Sequence, residues 1–333
     1  MNILIVRLSA LGDIVHAIPA AAALRRAYPQ ARIDWLLDIR HRDIVDLVTA
    51  IDHAVVVRRS TPAGWAQVLR ELRATRYDVA LDFQGLMKSA VLARGSGAKR
   101  VAGFSLWHLR EKTARPFYTS AEDAEGGHAI LKNLRLLRTL GIDDMRIEFP
   151  LAAVESPALA ALRQSIGNAR FAVINPGAAW PNKRWPPERF GELAATIRNR
   201  TGLPPIVLWG PGEEALAQAV VAASRHAATL SPPTTVRDIV AICRAADLFV
   251  AGDTGPLHIA MAVGTPTVSL FGPTSPVRNG PWSARDVVVS RADQCGCHID
   301  RRCRQAHWCL EDIGVGEVAT AVEHRLATES PRA

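Results

Sequence analysis

Two common nucleotide-binding signatures are missing from this sequence. No Gly-x-Gly-x-x-Gly opens its first helix and no Walker A pattern occurs anywhere, which counts against dehydrogenase and NTPase readings. No apolar run approaches the roughly 18 residues that span a bilayer. The start has no basic stretch ahead of Ile3–Val6 and no small-residue cleavage site. It therefore reads as a first strand, and the protein is expected to stay in the cytoplasm. Basic residues interleaved with aromatics along one stripe are also lacking, so nucleic acid is not an expected partner. Lysine is scarce: Arg far outnumbers it among the 40 basic residues, and the net charge is +8. That bias suits bidentate binding of phosphate or carboxylate, although a GC-rich genome produces it too.

What is present is a globular chain of 333 residues, 48% hydrophobic, long enough for two domains of roughly 150 residues. Strand-like runs at Asn2–Arg7, Arg32–Leu37, Ala54–Val57, Val79–Asp82 and Arg100–Gly103 alternate with helical periodicity at Ile14–Arg26, Ile44–Ala50, Pro62–Ala74 and Leu86–Ala93. Phe104–Gly127 is irregular, and His128–Leu140 reads as a helix. After a joint near residues 150–168, strands at Phe171–Asn175, Pro205–Trp209, Leu248–Gly252 and Thr267–Phe271 alternate with four more helices. A last amphipathic helix covers Val315–Leu326, with no indication of where it docks. Such alternation predicts an α/β protein: two doubly wound, Rossmann-like domains, 1–160 and 161–333, facing a central cleft. Ligands of such folds bind at the carboxyl ends of the strands.

Four loops at those ends carry candidate chemistry. In Arg7-Leu8-Ser9-Ala10-Leu11-Gly12-Asp13, Gly12 permits a tight turn and Asp13 falls at a helix start. Asp13 is either an ordinary cap or a general base; the helix terminus weakens it as a base while desolvation strengthens it. Asp82-Phe83-Gln84-Gly85-Leu86-Met87-Lys88-Ser89 places a carboxylate, an amide and an ammonium in one loop, fit to orient a polyhydroxylated acidic acceptor. Taken alone it is equally a turn glycine among exposed polar residues.

Asn175-Pro176-Gly177-Ala178-Ala179-Trp180-Pro181-Asn182-Lys183-Arg184 exposes backbone N–H groups beside a basic pair, a cradle for a diphosphate. Gly252-Asp253-Thr254-Gly255-Pro256-Leu257-His258 runs from a strand into a helix whose free amides form a pyrophosphate site. There Asp253 caps the helix or orients a neighbouring lysine or amide, and His258 faces either the site or the core. Glu213 and Glu214, after Trp209-Gly210-Pro211-Gly212, are candidates for ribose hydroxyls, and Phe271-Gly272-Pro273-Thr274 borders the same pocket.

These four motifs, in this order, resemble the heptosyltransferases of lipopolysaccharide core assembly, glycosyltransferase family 9, over residues 1 to roughly 290. The Gln84-Gly85-Leu86-x-Lys88-Ser89 segment tilts the likeness toward heptosyltransferase I, which adds the first heptose to Kdo on lipid A. The resemblance implies a GT-B fold, an acceptor on the N-terminal domain, ADP-heptose on the C-terminal one, inversion, and no metal in catalysis. Asp13 would deprotonate the acceptor hydroxyl, while Lys183 and the amides after Asp253 would stabilise the departing diphosphate. Ser9, Gly12, Asp82, Gln84 and Gly85 would shape the acceptor side, and Lys88, Arg110, Lys112 and Arg115 would meet Kdo and phosphates. Phe104–Gly127 would be an acceptor loop near the cytoplasmic face of the inner membrane, where the lipid-linked acceptor sits. The alternatives are another sugar, a protein or other glycan acceptor, an epimerase of similar fold, or a nucleotide-sugar-binding protein without activity.

Cys295, Cys297, Cys303 and Cys309 fall within fifteen residues. They read as disulfide partners or as a four-thiolate zinc or iron site, with His298 and His307 as further ligands. The chain also distantly resembles autotransporter heptosyltransferases, which carry a four-cysteine iron site. Cys243, alone in a helix, reads as core.

Overall fold

A computed structural model describes residues 1–59, 61–124, 126–297, 303 and 305–328. The chain divides into two compact units, Met1–Ala153 and Val154–Ala333.

In the first unit β1 (Asn2–Val6), β2 (Arg32–Asp38), β3 (His53–Val57), β4 (Val79–Asp82), β5 (Arg100–Phe104) and β6 (Ser120–Glu122) form one parallel sheet, ordered β3-β2-β1-β4-β5-β6. Ile3, Leu4, Ile5 and Val6 are all buried, as a central parallel strand covered on both faces requires. The expected helix over Ile14–Arg26 is two helices, Leu11–Val15 and Ile18–Ala27, with Pro19 in the first turn of the second. Proline cannot donate to a helix running through that point, so the chain stops and restarts. The irregular stretch after Phe104 holds short 3₁₀ turns at Leu106–His108 and Lys112–Phe117, followed by β6.

The second unit repeats the design with β7 (Ala172–Asn175), β8 (Pro205–Val207), β9 (Thr229–Leu230), β10 (Leu248–Gly252), β11 (Thr267–Phe271) and β12 (Val287–Ser290), all parallel, in the order β12-β11-β10-β7-β8-β9. Each sheet thus runs outward in both directions from its first strand. The strand order reverses between β1 and β4 in one unit, and between β7 and β10 in the other. At such a switch point the loops leave in opposite directions and open a crevice. The four loops singled out in the sequence follow β1, β4, β7 and β10.

The last helix, Val315–Ala327, packs on β11, β12 and the helix Pro187–Thr201. A buried ion pair fixes it: Arg325 Nε lies 2.7 Å from Asp286 Oδ1, which also accepts from the Thr267 backbone N–H. Asp286→Ala is expected to destabilise the second unit by about 3–5 kcal/mol, because it strips a buried anion from a guanidinium held in apolar surroundings. A fall in the urea midpoint of that unit would check this, and an unchanged midpoint would exclude it.

Candidate active site

At the first switch point the two loops are tied together by side chains. The Arg7 guanidinium lies 2.7 Å from Asp13 Oδ1 and donates to the Phe83 carbonyl, so one arginine spans both loops. Gln84 Oε1 accepts from the Leu8 backbone N–H at 2.7 Å. Asp13 is half-exposed, and its Oδ2 accepts from the Ala10 N–H. The result is a carboxylate at the protein surface, pinned at the end of β1 beside the Arg7 guanidinium.

Asp82 differs from its expected role as an acceptor contact. It is fully buried, and its oxygens accept from the Gln84 and Gly85 N–H groups, the Ser89 hydroxyl and the Tyr118 hydroxyl. Burial pushes its carboxyl upward, against the pull of those hydrogen bonds. Asp82 therefore shapes the loop and offers nothing to a ligand. Gly85 is buried as well, with φ +67°, which explains the glycine by backbone geometry. Ser9 and Gly12 are half-buried in the β1 loop, and Lys88 and Arg110 are exposed. Arg115 is half-buried and donates to the Tyr118 carbonyl.

At the second switch point the groups are closer knit. Lys183 Nζ lies 2.6 Å from Asp253 Oδ2, Nε2 of His258 lies 3.0 Å from Asp253 Oδ1, and the Asn279 amide donates to Oδ2 at 3.4 Å. His258 is buried and its ring is the hydrogen-bonding partner of Asp253. The Lys183 ammonium also sits 4.6 Å from the centre of the Trp180 ring. Burial alone would raise the Asp253 carboxyl, but His258 and the Lys183 ammonium outweigh it and hold it well below the usual carboxylate range. A depressed carboxyl contributes stability that is complete above its ordinary value near 3.8 and is lost as pH falls further. Acid titration of the second unit should therefore show a loss of stability below about pH 4 that Asp253→Asn lacks.

Thr254 caps the helix Gly255–Ala262, accepting from the Leu257 N–H, and Gly255 and Pro256 are half-buried in its first turn. Gly177 is a matter of close approach: a Cβ there would fall 2.1 Å from Glu213 Oε2. Glu213 accepts from the Gly210 N–H, and Arg184 Nε donates to the Ala178 carbonyl. Gly177, Ala178 and Glu213 thus form one tight corner, whereas Glu214 is exposed at a helix start. Trp185, buried edge-to-face on Phe190 with its indole N–H on the Ile313 carbonyl, anchors the end of this loop. A carboxylate-held lysine beside a helix N-terminus and a glycine corner suits a diphosphate.

Residues 65–309 match the model of glycosyltransferase family 9 (heptosyltransferase). The chain belongs to that family. It is 29% identical to lipopolysaccharide heptosyltransferase 1 of Pseudomonas aeruginosa, with 98% of each sequence covered. A glycosyl transferase family 9 crystal structure from Veillonella parvula superposes with a TM-score of 0.84 at 25% identity, covering 98% of this chain and 97% of that one. The E. coli heptosyltransferase WaaC, solved with ADP, gives 0.79 at 23% identity, covering 98% and 100%. The chain is accordingly a glycosyltransferase of GT-B fold, and the expected fold class stands.

Sequence reasoning passed over one feature of this family-9 chain. Arg42, His53, Arg58 and Arg59 line a cavity of about 510 Å³ along β3, between it and the helix Pro62–Thr75. The available signal was the Arg58-Arg59 pair at a strand's carboxyl end, directly ahead of a Thr-Pro helix start.

The cysteines come together in the second unit. Cys295 and Cys297 Sγ are 3.2 Å apart, and all four are free thiols. Among the described residues, no three His, Cys, Asp or Glu side chains are set to hold one metal ion. His298 lies outside the described residues, and His307 pairs with Glu311 and Asp312. Cys243 is buried.

Proposed function

We propose that this enzyme transfers heptose from ADP-heptose to Kdo-lipid A with inversion at the anomeric carbon. The observation that carries the donor side is the Lys183–Asp253–His258 set beside the helix that starts at Gly255. Lys183 neutralises charge growing on the departing ADP, and the Gly255 N–H at the start of that helix binds its phosphates. Asp253 and His258 hold the ammonium in place. Glu213 takes the ribose hydroxyls.

On the acceptor side Asp13 accepts the proton of the attacking hydroxyl, and Arg7 keeps the carboxylate oriented. The hydroxyl oxygen bonds to the anomeric carbon as the bond to the diphosphate oxygen breaks. Lys88, Arg110 and the Arg58–Arg59 cavity meet the acidic groups of the acceptor. No metal takes part in this scheme.

Among the described residues no helix is long and apolar enough to cross a membrane. Trp107, 80% exposed, carries the Lys112 ammonium 5.9 Å from its ring centre, and Leu106 and Arg110 in the same stretch are exposed too. A tryptophan with flanking cations suits the surface of an anionic bilayer, so the enzyme is proposed to work at the cytoplasmic face of the inner membrane.

The test is ADP release with ADP-heptose and Kdo-lipid A together. Release that needs both substrates supports the reading, and release with neither Kdo-lipid A nor its deacylated form as acceptor would refute it. Gly177→Ala is expected to push Glu213 out of its corner and weaken ADP binding about tenfold, as read by calorimetric titration.

A further inference from the structure

Of two adjoining cysteines that the proposed reaction does not use, one, Cys297, touches a loop that it does. Cys295 is buried and Cys297 half-buried, with their sulfurs 3.2 Å apart. The Cys297 sulfur accepts a hydrogen bond from the Asn182 amide at 3.7 Å. Asn182 is itself only 2% exposed and is the chain neighbour of Lys183 within the turn Pro181–Lys183. On another side, Cys309 Sγ would lie 2.9 Å from a Cβ at Gly272, the residue after β11. The thiols are therefore wedged between the lysine turn and the end of a core strand. A change of bonding at Cys297 reaches Lys183 through one buried amide.

We propose that Cys295 and Cys297 form a thiol–disulfide site whose oxidation shifts Asn182 and Lys183 and weakens binding of the nucleotide donor. The inference rests on the donor role assigned to Lys183. The oxidant is a small disulfide of the glutathione class. Cys297, the more open of the two, attacks it as a thiolate, forming a mixed disulfide and releasing one thiol. The Cys295 sulfur then gives up its proton, attacks the Cys297 sulfur and expels the second thiol. Two electrons and two protons pass from the cysteine pair to two molecules of small thiol.

A disulfide across Cys-x-Cys closes a small ring, a strained bond that small thiols readily reverse. Burial pushes both thiols up, and for Cys297 the neighbouring Cys295 adds to it, so the response is slow. It follows the ambient thiol balance and not brief oxidant pulses. In the disulfide, the Cys297 sulfur turns toward Cys295 and leaves the Asn182 amide.

The experiment treats the reduced full-length chain with glutathione disulfide and follows intact mass, the bridged peptide and ADP affinity. Expected are a chain lighter by two hydrogens, a Cys295–Cys297 bridge, ADP binding weakened about tenfold, and full recovery with dithiothreitol. Cys295→Ser should bind ADP like the parent and lose the response. Asn182→Ala should still form the bridge but show no further loss of ADP affinity.

Absence of the bridge, pairing with Cys303 or Cys309 instead, or unchanged ADP affinity in the bridged chain would each overturn the proposal. So would one equivalent of zinc or iron retained by the chain purified under reducing conditions. Failure of the donor reading is told apart by Lys183→Ala: ADP affinity unaffected there removes Lys183 from the donor site, whether or not the bridge forms.

Discussion

Asp13→Asn is expected to lower the rate of sugar transfer about 10³- to 10⁴-fold while ADP binding stays within a factor of two or so. Asn keeps the size of the side chain and can still accept from the Ala10 N–H. It cannot take up a proton, and it no longer balances the Arg7 guanidinium 2.7 Å away. The loss should therefore appear in kcat with little change in donor KM. Single-turnover transfer assays on mutant and parent, with calorimetric ADP binding alongside, separate the two quantities. A mutant with parental turnover would place the base elsewhere and leave Asp13 as a helix-start residue paired to Arg7.

Lys183→Ala comes second, with an expected loss of about 10²–10³-fold in kcat. The ammonium sits 2.6 Å from a carboxylate that His258 and the ammonium itself keep ionised against the effect of burial, so it is oriented before any ligand arrives. Cations fixed in advance need no reorganisation as charge grows on the leaving diphosphate. Lys183→Arg is expected to recover only part of the rate, since a planar fork does not reproduce a point charge. Because ADP carries the same diphosphate, its affinity should fall too, in contrast with Asp13→Asn. Equal ADP affinity in Lys183→Ala and the parent would contradict the assignment.

The candidate site was largely legible because the chemistry sits next to strand ends, and strand ends are visible in sequence. Leu248–Gly252 and Thr267–Phe271 are short apolar runs closed by Gly-Asp and Gly-Pro, and each occurs as a strand over those same residues. Asp82 was less transparent. Its polarity marked it as available, but the partner that claims it, Tyr118, lies 36 residues further on. His258 gave no local sign of its hydrogen bond to Asp253, whose carboxylate lies 3.0 Å from its ring. Edge strands β6 and β9 escaped notice since they have only two or three residues and no continuous apolar run announces them; β12, with the short run Val287–Val289, was passed over as well.

By itself the sequence determined the local alternation of strand and helix, the glycine- and proline-marked loops, and the order of four motifs that places the chain in family 9. Each of these depends on residues a few positions apart, where periodicity and turn chemistry operate. Tertiary structure decided the pairings that bridge long separations: Arg7 with the Phe83 carbonyl, Lys183 with Asp253, Arg325 with Asp286, and Asn182 with Cys297. Those partners are 39 to 115 residues apart. They meet only because two parallel sheets bring separate crossover units side by side, and no local pattern carries that information.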